Sequence, residues 1–154
     1  MSDAKQMTAS VDRREFLKGS VALAGGVALT LSVPLALRYG SIRVYRLVCA
    51  VDCGMVVNPD TIAAQVEGGS LFGLTAALHG AITLKNGRVE QSNFHDYRVL
   101  RMPEVPDVTV QILESDAKMG GIGEPATAPI APAVANAVYA LTRQRLRSLP
   151  LRLT

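Results

Sequence analysis

Glu124 closes a glycine-dense stretch, Met119-Gly120-Gly121-Ile122-Gly123-Glu124-Pro125. Three glycines in four positions let backbone come close to a bulky ligand and reach positive φ without a Cβ clash. Pro125 biases Glu124 toward extended backbone, so the carboxylate ends a stiffened loop rather than lying inside a helix. A carboxylate presented this way can accept a proton. The glycine spacing matches neither the P-loop nor the dinucleotide-binding fingerprint, and taken alone such a loop is ordinarily a turn. A second polar pattern, Gln65-Val66-Glu67-Gly68-Gly69, places a helix-surface amide beside a glycine pair. The remaining metal-type side chains are Cys49, Cys53, His79 and His95, whose spacing resembles no zinc site. The two cysteines read as small packed residues, and no metal ligand is expected. His95-Asp96 lacks a nucleophile and reads as a local cap or pair.

Elements of regular structure must hold these groups. Ile42 to Asp52 has the β-branched and aromatic content of a strand, closed by Cys53-Gly54. Asn58-Pro59 opens a helix, with Asn58 as N-cap and Pro59 at the first helical position. That helix runs toward Leu78 and is stopped by Gly80. Gly68, Gly69 and Gly73 lie inside it at a cost of about 1 kcal/mol each, so something must approach it closely. Lys85-Asn86-Gly87 joins Ala81–Leu84 to Arg88–Gln91 as a hairpin. Ser92 to Pro106 is irregular, Val108 to Leu113 alternates as a strand, and Ile130 to Thr142 is a helix with an apolar stripe. Arg143 stands where a helix-ending glycine is favoured. Arg145 to Leu151 is a short strand or coil. The mixture implies an α+β fold, a short mixed sheet with two packed helices.

The chain has 154 residues and a net charge of +3, with scattered basic residues. Without a Lys/Arg block interleaved with aromatics, nucleic-acid binding is excluded. Cys49 and Cys53 on one strand stand roughly 13 Å apart, too far to bridge. Asp12-Arg13-Arg14-Glu15-Phe16-Leu17-Lys18 precedes an uncharged run from Gly19 to Leu37. Paired arginines followed by an apolar run are the layout of a twin-arginine export signal. Residues 1–38 therefore read as a leader with an apolar helix, directing the chain to the twin-arginine translocase and the periplasm. A retained inner-membrane anchor is the alternative, since 19 residues can span a bilayer.

Cys49-Ala50-Val51-Asp52-Cys53-Gly54-Met55-Val56-Val57-Asn58-Pro59, then Gln65-Val66-Glu67-Gly68-Gly69, then Gly120-Gly121-Ile122-Gly123-Glu124-Pro125, then Pro129-Ile130-Ala131-Pro132-Ala133, occur in that order. The set resembles the C-terminal end of the molybdopterin-binding large subunit of the xanthine dehydrogenase and aldehyde oxidoreductase superfamily. Gln91-Ser92-Asn93-Phe94-His95-Asp96-Tyr97 and the paired arginines narrow it to the isoquinoline 1-oxidoreductase β-subunit type. The resemblance covers about residues 41–153, within a partial molybdopterin-binding domain over 39–154. It implies a molybdenum–molybdopterin cytosine dinucleotide cofactor and oxidative hydroxylation of an aldehyde or N-heterocycle carbon, with Glu124 as base. It further implies that Gln65 reaches the pterin, that Gly121, Ile122 and Gly123 offer backbone near the metal, and that Asp52, Cys53 and Asn58 shape the adjoining cofactor segment. A small subunit with two [2Fe-2S] clusters would remove the electrons, passing them to an acceptor that the sequence does not identify.

Large subunits of this type are much longer, and the leader here meets the C-terminal piece at Arg38-Tyr39-Gly40. That layout is expected of an internal deletion, a degraded gene or an excerpt. The implied consequence is weak cofactor binding and little turnover by the chain alone. A non-enzymatic remnant or membrane-tethered interaction module is the rival, and complementation by a second polypeptide is another.

Overall fold

The computed structural model describes residues 28–32, 35–38, 41–113 and 115–153. A three-stranded mixed sheet carries the molecule, built from β1 (Ala28–Ser32), β4 (Arg46–Asp52) and β7 (Asp107–Ile112) in the order β1-β4-β7. β4 is central. It pairs antiparallel with β1, Leu31 opposite Cys49, and parallel with β7, Cys49 opposite Val110. Leu47, Cys49 and Val51 alternate into the core, as a period of two requires. Two short antiparallel pairs flank this sheet: β2 (Leu35–Arg38) with β3 (Ser41–Val44), and β5 (Leu84–Lys85) with β6 (Arg88–Val89).

The strand expected over Ile42–Asp52 is two strands, β3 and β4, interrupted at Tyr45, whose carbonyl accepts the Asp107 N–H at 2.9 Å. The leader helix expected over Gly19–Leu37 is not what its described part forms. Ala28–Ser32 and Leu35–Arg38 are strands, and β1 belongs to the main sheet. A short apolar run suits a buried strand as well as a helix, and pairing with β4 decides it. Asp12 to Lys18 and the rest of the expected leader lie outside the described residues. Among the described residues no helix is long and apolar enough to cross a membrane.

α1 (Pro59–Leu78) begins as its sequence dictates: Asn58 Oδ1 accepts the Thr61 N–H at 3.1 Å and Pro59 occupies the first turn. α2 (Ile130–Thr142) buries Ile130, Val134 and Val138, one residue per turn along a single stripe. The stripe meets Ile62, Val66, Leu74 and Ala77 of α1 and the inner face of β4 in one core. Leu151 closes it from the C-terminal coil, its N–H donating to the Ala77 carbonyl at 2.7 Å. The Asn86-Gly87 turn has positive φ at both residues, 51° and 75°, as a two-residue hairpin demands. Every residue from Ala81 to Glu90 is exposed. Arg143 terminates α2 in the left-handed region at φ 63°, its N–H donating to the Tyr139 carbonyl at 2.8 Å.

Candidate functional site

The close approach demanded by the glycines of α1 is made by the segment that follows Glu124. A Cβ on Gly73 would stand 2.4 Å from the Thr127 carbonyl oxygen and 3.0 Å from Ile130 Cγ1. On Gly69 it would meet Ala126 Cβ at 3.1 Å. Residues 126–130 therefore sit in a trough cut into α1, and buried Ala126 is the plug. Glu124 lies just ahead of this contact, in a turn where its carbonyl accepts the Thr127 N–H at 3.0 Å.

The result is an open concavity of about 470 Å³ lined by Gly68, Gly69, Phe72, Gly123, Glu124, Thr127 and Ala128. The glycine pair of the Gln65 pattern and the glycine–glutamate of the loop thus share one surface. Gln65 itself does not line the concavity. It is exposed and lies three and four residues before Gly68 and Gly69, on the same face of α1 one turn away. Gly121 is exposed, and a Cβ built on Gly68, Gly121 or Gly123 meets nothing within 4 Å. Gly69 and Gly73 are thus accounted for by the protein's own packing; Gly68, Gly121 and Gly123 are not. Ile122 is half-buried and packs on the core, anchoring the loop in mid-span.

Asp52, Cys53 and Asn58 lie outside the lining, with polar groups engaged within the chain. Asp52 Oδ1 accepts the Ser115 hydroxyl at 2.7 Å and the Gly54 N–H at 3.0 Å. These two bonds, the Ser115 one foremost, hold its carboxyl below the ordinary carboxylate range. Cys53 is buried, and its carbonyl accepts the Gly120 N–H at 2.8 Å. Asn58 caps α1. Cys49 is a buried free thiol 3.6 Å from Ser70 Oγ, and burial pushes its pKa up. His95 and Asp96 form a local exposed pair, 3.5 Å apart. Asp96 also accepts the backbone N–H groups of Ser92 and Asn93, which hold its pKa down at about 2.

Phe72, Thr127 and Ala128 were not singled out by sequence reasoning. The available signal was spacing: Phe72 is four residues beyond Gly68 and shares its helix face. Chemically, the concavity offers a carboxylate, exposed backbone, an aromatic wall and a hydroxyl. A flat group can approach the glycines without displacing side chains. Among the described residues no lysine or arginine lines it, so a pyrophosphate would find its cations elsewhere.

A family model described as molybdopterin cofactor-binding domain matches residues 10–106. Isoquinoline 1-oxidoreductase subunit beta of Brevundimonas diminuta is 44% identical over 126 residues, which is 82% of this chain and 16% of that protein. A match of that extent takes in both Gln65 and Glu124 wherever it begins. The membrane-bound aldehyde dehydrogenase (pyrroloquinoline-quinone) of Gluconacetobacter polyoxogenes is 36% identical over 113 residues, 73% of this chain and 15% of the relative. Among solved structures, quinoline 2-oxidoreductase from Pseudomonas putida 86 superposes with a TM-score of 0.66 at 24% identity, over 80% of this chain and 17% of that one. The chain therefore spans about one sixth of the length of the relatives it matches.

Proposed function

From the premise that this chain belongs to the molybdopterin cofactor-binding domain family, we propose that it forms one wall of a molybdenum hydroxylase site, the wall that carries the base Glu124. The observation that supports this is the shared concavity: Glu124 and Gly123 meet Gly68 and Gly69 across it, with open space over Gly68, Gly121 and Gly123. The fit to a pterin-held metal is good in shape, since small residues leave room for a flat, rigid group. It is incomplete in charge, since the phosphates of a cytosine dinucleotide need partners from outside these residues. When bound, the cofactor supplies the two-electron oxidant for a carbon that gains its hydroxyl oxygen from water.

The chain's own residues do the rest. A Glu124 carboxylate oxygen accepts the proton that the oxygen nucleophile must lose. Phe72 walls the concavity with an aromatic face against which a planar ring can rest. Gly121, Ile122 and Gly123 present backbone toward the ligand, Gln65 reaches it from one turn along α1, and Asp52, Cys53 and Asn58 hold the segments beneath. The substrate class is an aldehyde or N-heterocycle, the electron-removing partner a small subunit with two [2Fe-2S] clusters, and the destination the periplasm by twin-arginine export.

On this reading the chain is a fragment of a large subunit. Purified alone, it carries far less than one molybdenum and one pterin per chain and does not oxidise aldehydes or N-heterocycles. Stoichiometric metal and turnover by the chain alone would sink the one-wall reading. In a complete large subunit containing this chain, Glu124→Gln should keep the cofactor and lose turnover by about 10²–10⁴-fold; undiminished turnover removes Glu124 from the role of base.

A further inference from the structure

We propose that Asp52, acting through Ser115, is the positioning residue for Glu124, an inference that rests on the assignment of Glu124 as base. The loop between β7 and Glu124 contains three glycines, and nothing crowds Gly121 or Gly123. Such a segment holds no geometry by itself, so a fixed carboxylate needs fixed ends. The far end is fixed by α1, where Ala126 and Thr127 occupy the trough over Gly69 and Gly73. The near end is fixed by the last residues of β4. The Leu113 N–H donates to the Val51 carbonyl at 2.8 Å, ending the β7 ladder. Asp52 Oδ1 then takes the Ser115 hydroxyl at 2.7 Å, and Ser115 Oγ accepts the Ala117 N–H at 3.4 Å. The loop next lies flat on Gly54: a Cβ there would stand 2.4 Å from the Lys118 carbonyl oxygen and 2.6 Å from that of Ala117. Finally the Gly120 N–H reaches the Cys53 carbonyl at 2.8 Å.

Asp52 ties both partners of this stack. The same oxygen accepts the Gly54 N–H at 3.0 Å and so shapes the floor on which the loop rests. Gly54 holds φ at +72°, a conformation that side-chain-bearing residues rarely adopt. Asp52 therefore sets the floor and clamps the strap laid over it, leaving Gly120 to Gly123 as a short bridge to Glu124. Catalytic groups must be held to a fraction of an ångström, and residues that lock their support act at a distance in this way.

Hydrogen–deuterium exchange on the full chain tests it, read on peptides covering residues 115–124 and, as internal controls, on α1 and α2. Asp52→Ala and Ser115→Ala should each speed exchange of the loop by about tenfold, with both helices unchanged. The double variant should be no faster than either single one, because both remove the same clamp. Asp52→Asn should restore slow exchange, since an amide oxygen still accepts both donors. If Asp52→Ala fails to fold, the Ser115→Ala comparison stands in its place. Unchanged loop exchange, equal acceleration everywhere, or an Asp52→Asn loop as fast as Asp52→Ala overturns the proposal. None of these readings involves cofactor or turnover, so an active Glu124→Gln enzyme would refute the base assignment without altering them.

Discussion

Two alanine substitutions five residues apart on α1 should move stability in opposite directions. Gly73→Ala puts a methyl 2.4 Å from the Thr127 carbonyl oxygen and about as close as contacts ever come to Ile130, at 3.0 Å. The nearest obstacle is backbone, so the 126–130 segment must shift or α1 must bend. Overpacking costs about 1–3 kcal/mol, and a backbone obstacle at 2.4 Å puts this one in the upper part of that range, about 2–3 kcal/mol, offset by about 1 kcal/mol of helix propensity. The net loss is roughly 1–2 kcal/mol. Gly68→Ala gains the same propensity with nothing within 4 Å to meet the methyl, a net gain of about 0.8 kcal/mol. With a urea m-value of about 2 kcal/mol/M for a small protein, the midpoints should move by about −0.5 to −1 M and +0.4 M respectively. Circular dichroism through a urea titration reads both. Two shifts of the same sign would refute the claim that the Glu124 segment occupies the trough in α1. The pair also separates stability from function: the Gly68→Ala methyl stands in the concavity, so the more stable variant should retain less cofactor in a complete subunit.

Three further outcomes follow from local geometry. Arg143→Gly should raise stability by about 1 kcal/mol and Tm by roughly 2–4 °C, because a non-glycine side chain is relieved of the left-handed region; scanning calorimetry reads it. Asp96, held at about 2 by the Asn93 and Ser92 N–H groups, has a folded pKa below its ordinary 3.8, so it steadies the 92–97 turn above that value and releases it as pH falls from 3.8 toward 2. Amide chemical shifts of Ser92 and Asn93 should follow that window and stay flat above pH 5. Cys49 and Cys53 are buried, so a maleimide should label neither in native buffer and both in urea, at rates set by opening of the fold; rapid native labelling would contradict the core assignment.

Much of this architecture is written in local chemistry. Asn58-Pro59 specifies where α1 starts, Asn86-Gly87 specifies the hairpin, and the stripe of Ile130, Val134 and Val138 marks α2, because each depends on residues within one turn of itself. The same holds for Glu124, whose glycine loop and following proline are contiguous. What was not legible depends on register between distant segments. Ala28–Ser32 is an apolar run with no marker of its own, and only the offer of an unpaired edge on β4 makes it a strand. Phe72 and Thr127 line one concavity because α1 and the 126–130 segment interlock, and Asp52 meets Ser115 across 63 positions. The glycines hinted at this contact without revealing which of them the protein itself fills.

The parallel alignment of β4 with β7 orders events as well as atoms. Parallel neighbours cannot be joined by a tight turn, so residues 53–106 must all be made and threaded over the sheet before Val110 finds Cys49. Only then does the ribbon that carries Glu124 come within reach of the step on α1. The hollow lined by Gly68, Gly69 and Glu124 thus depends on a crossover of more than fifty residues as much as on the side chains that line it.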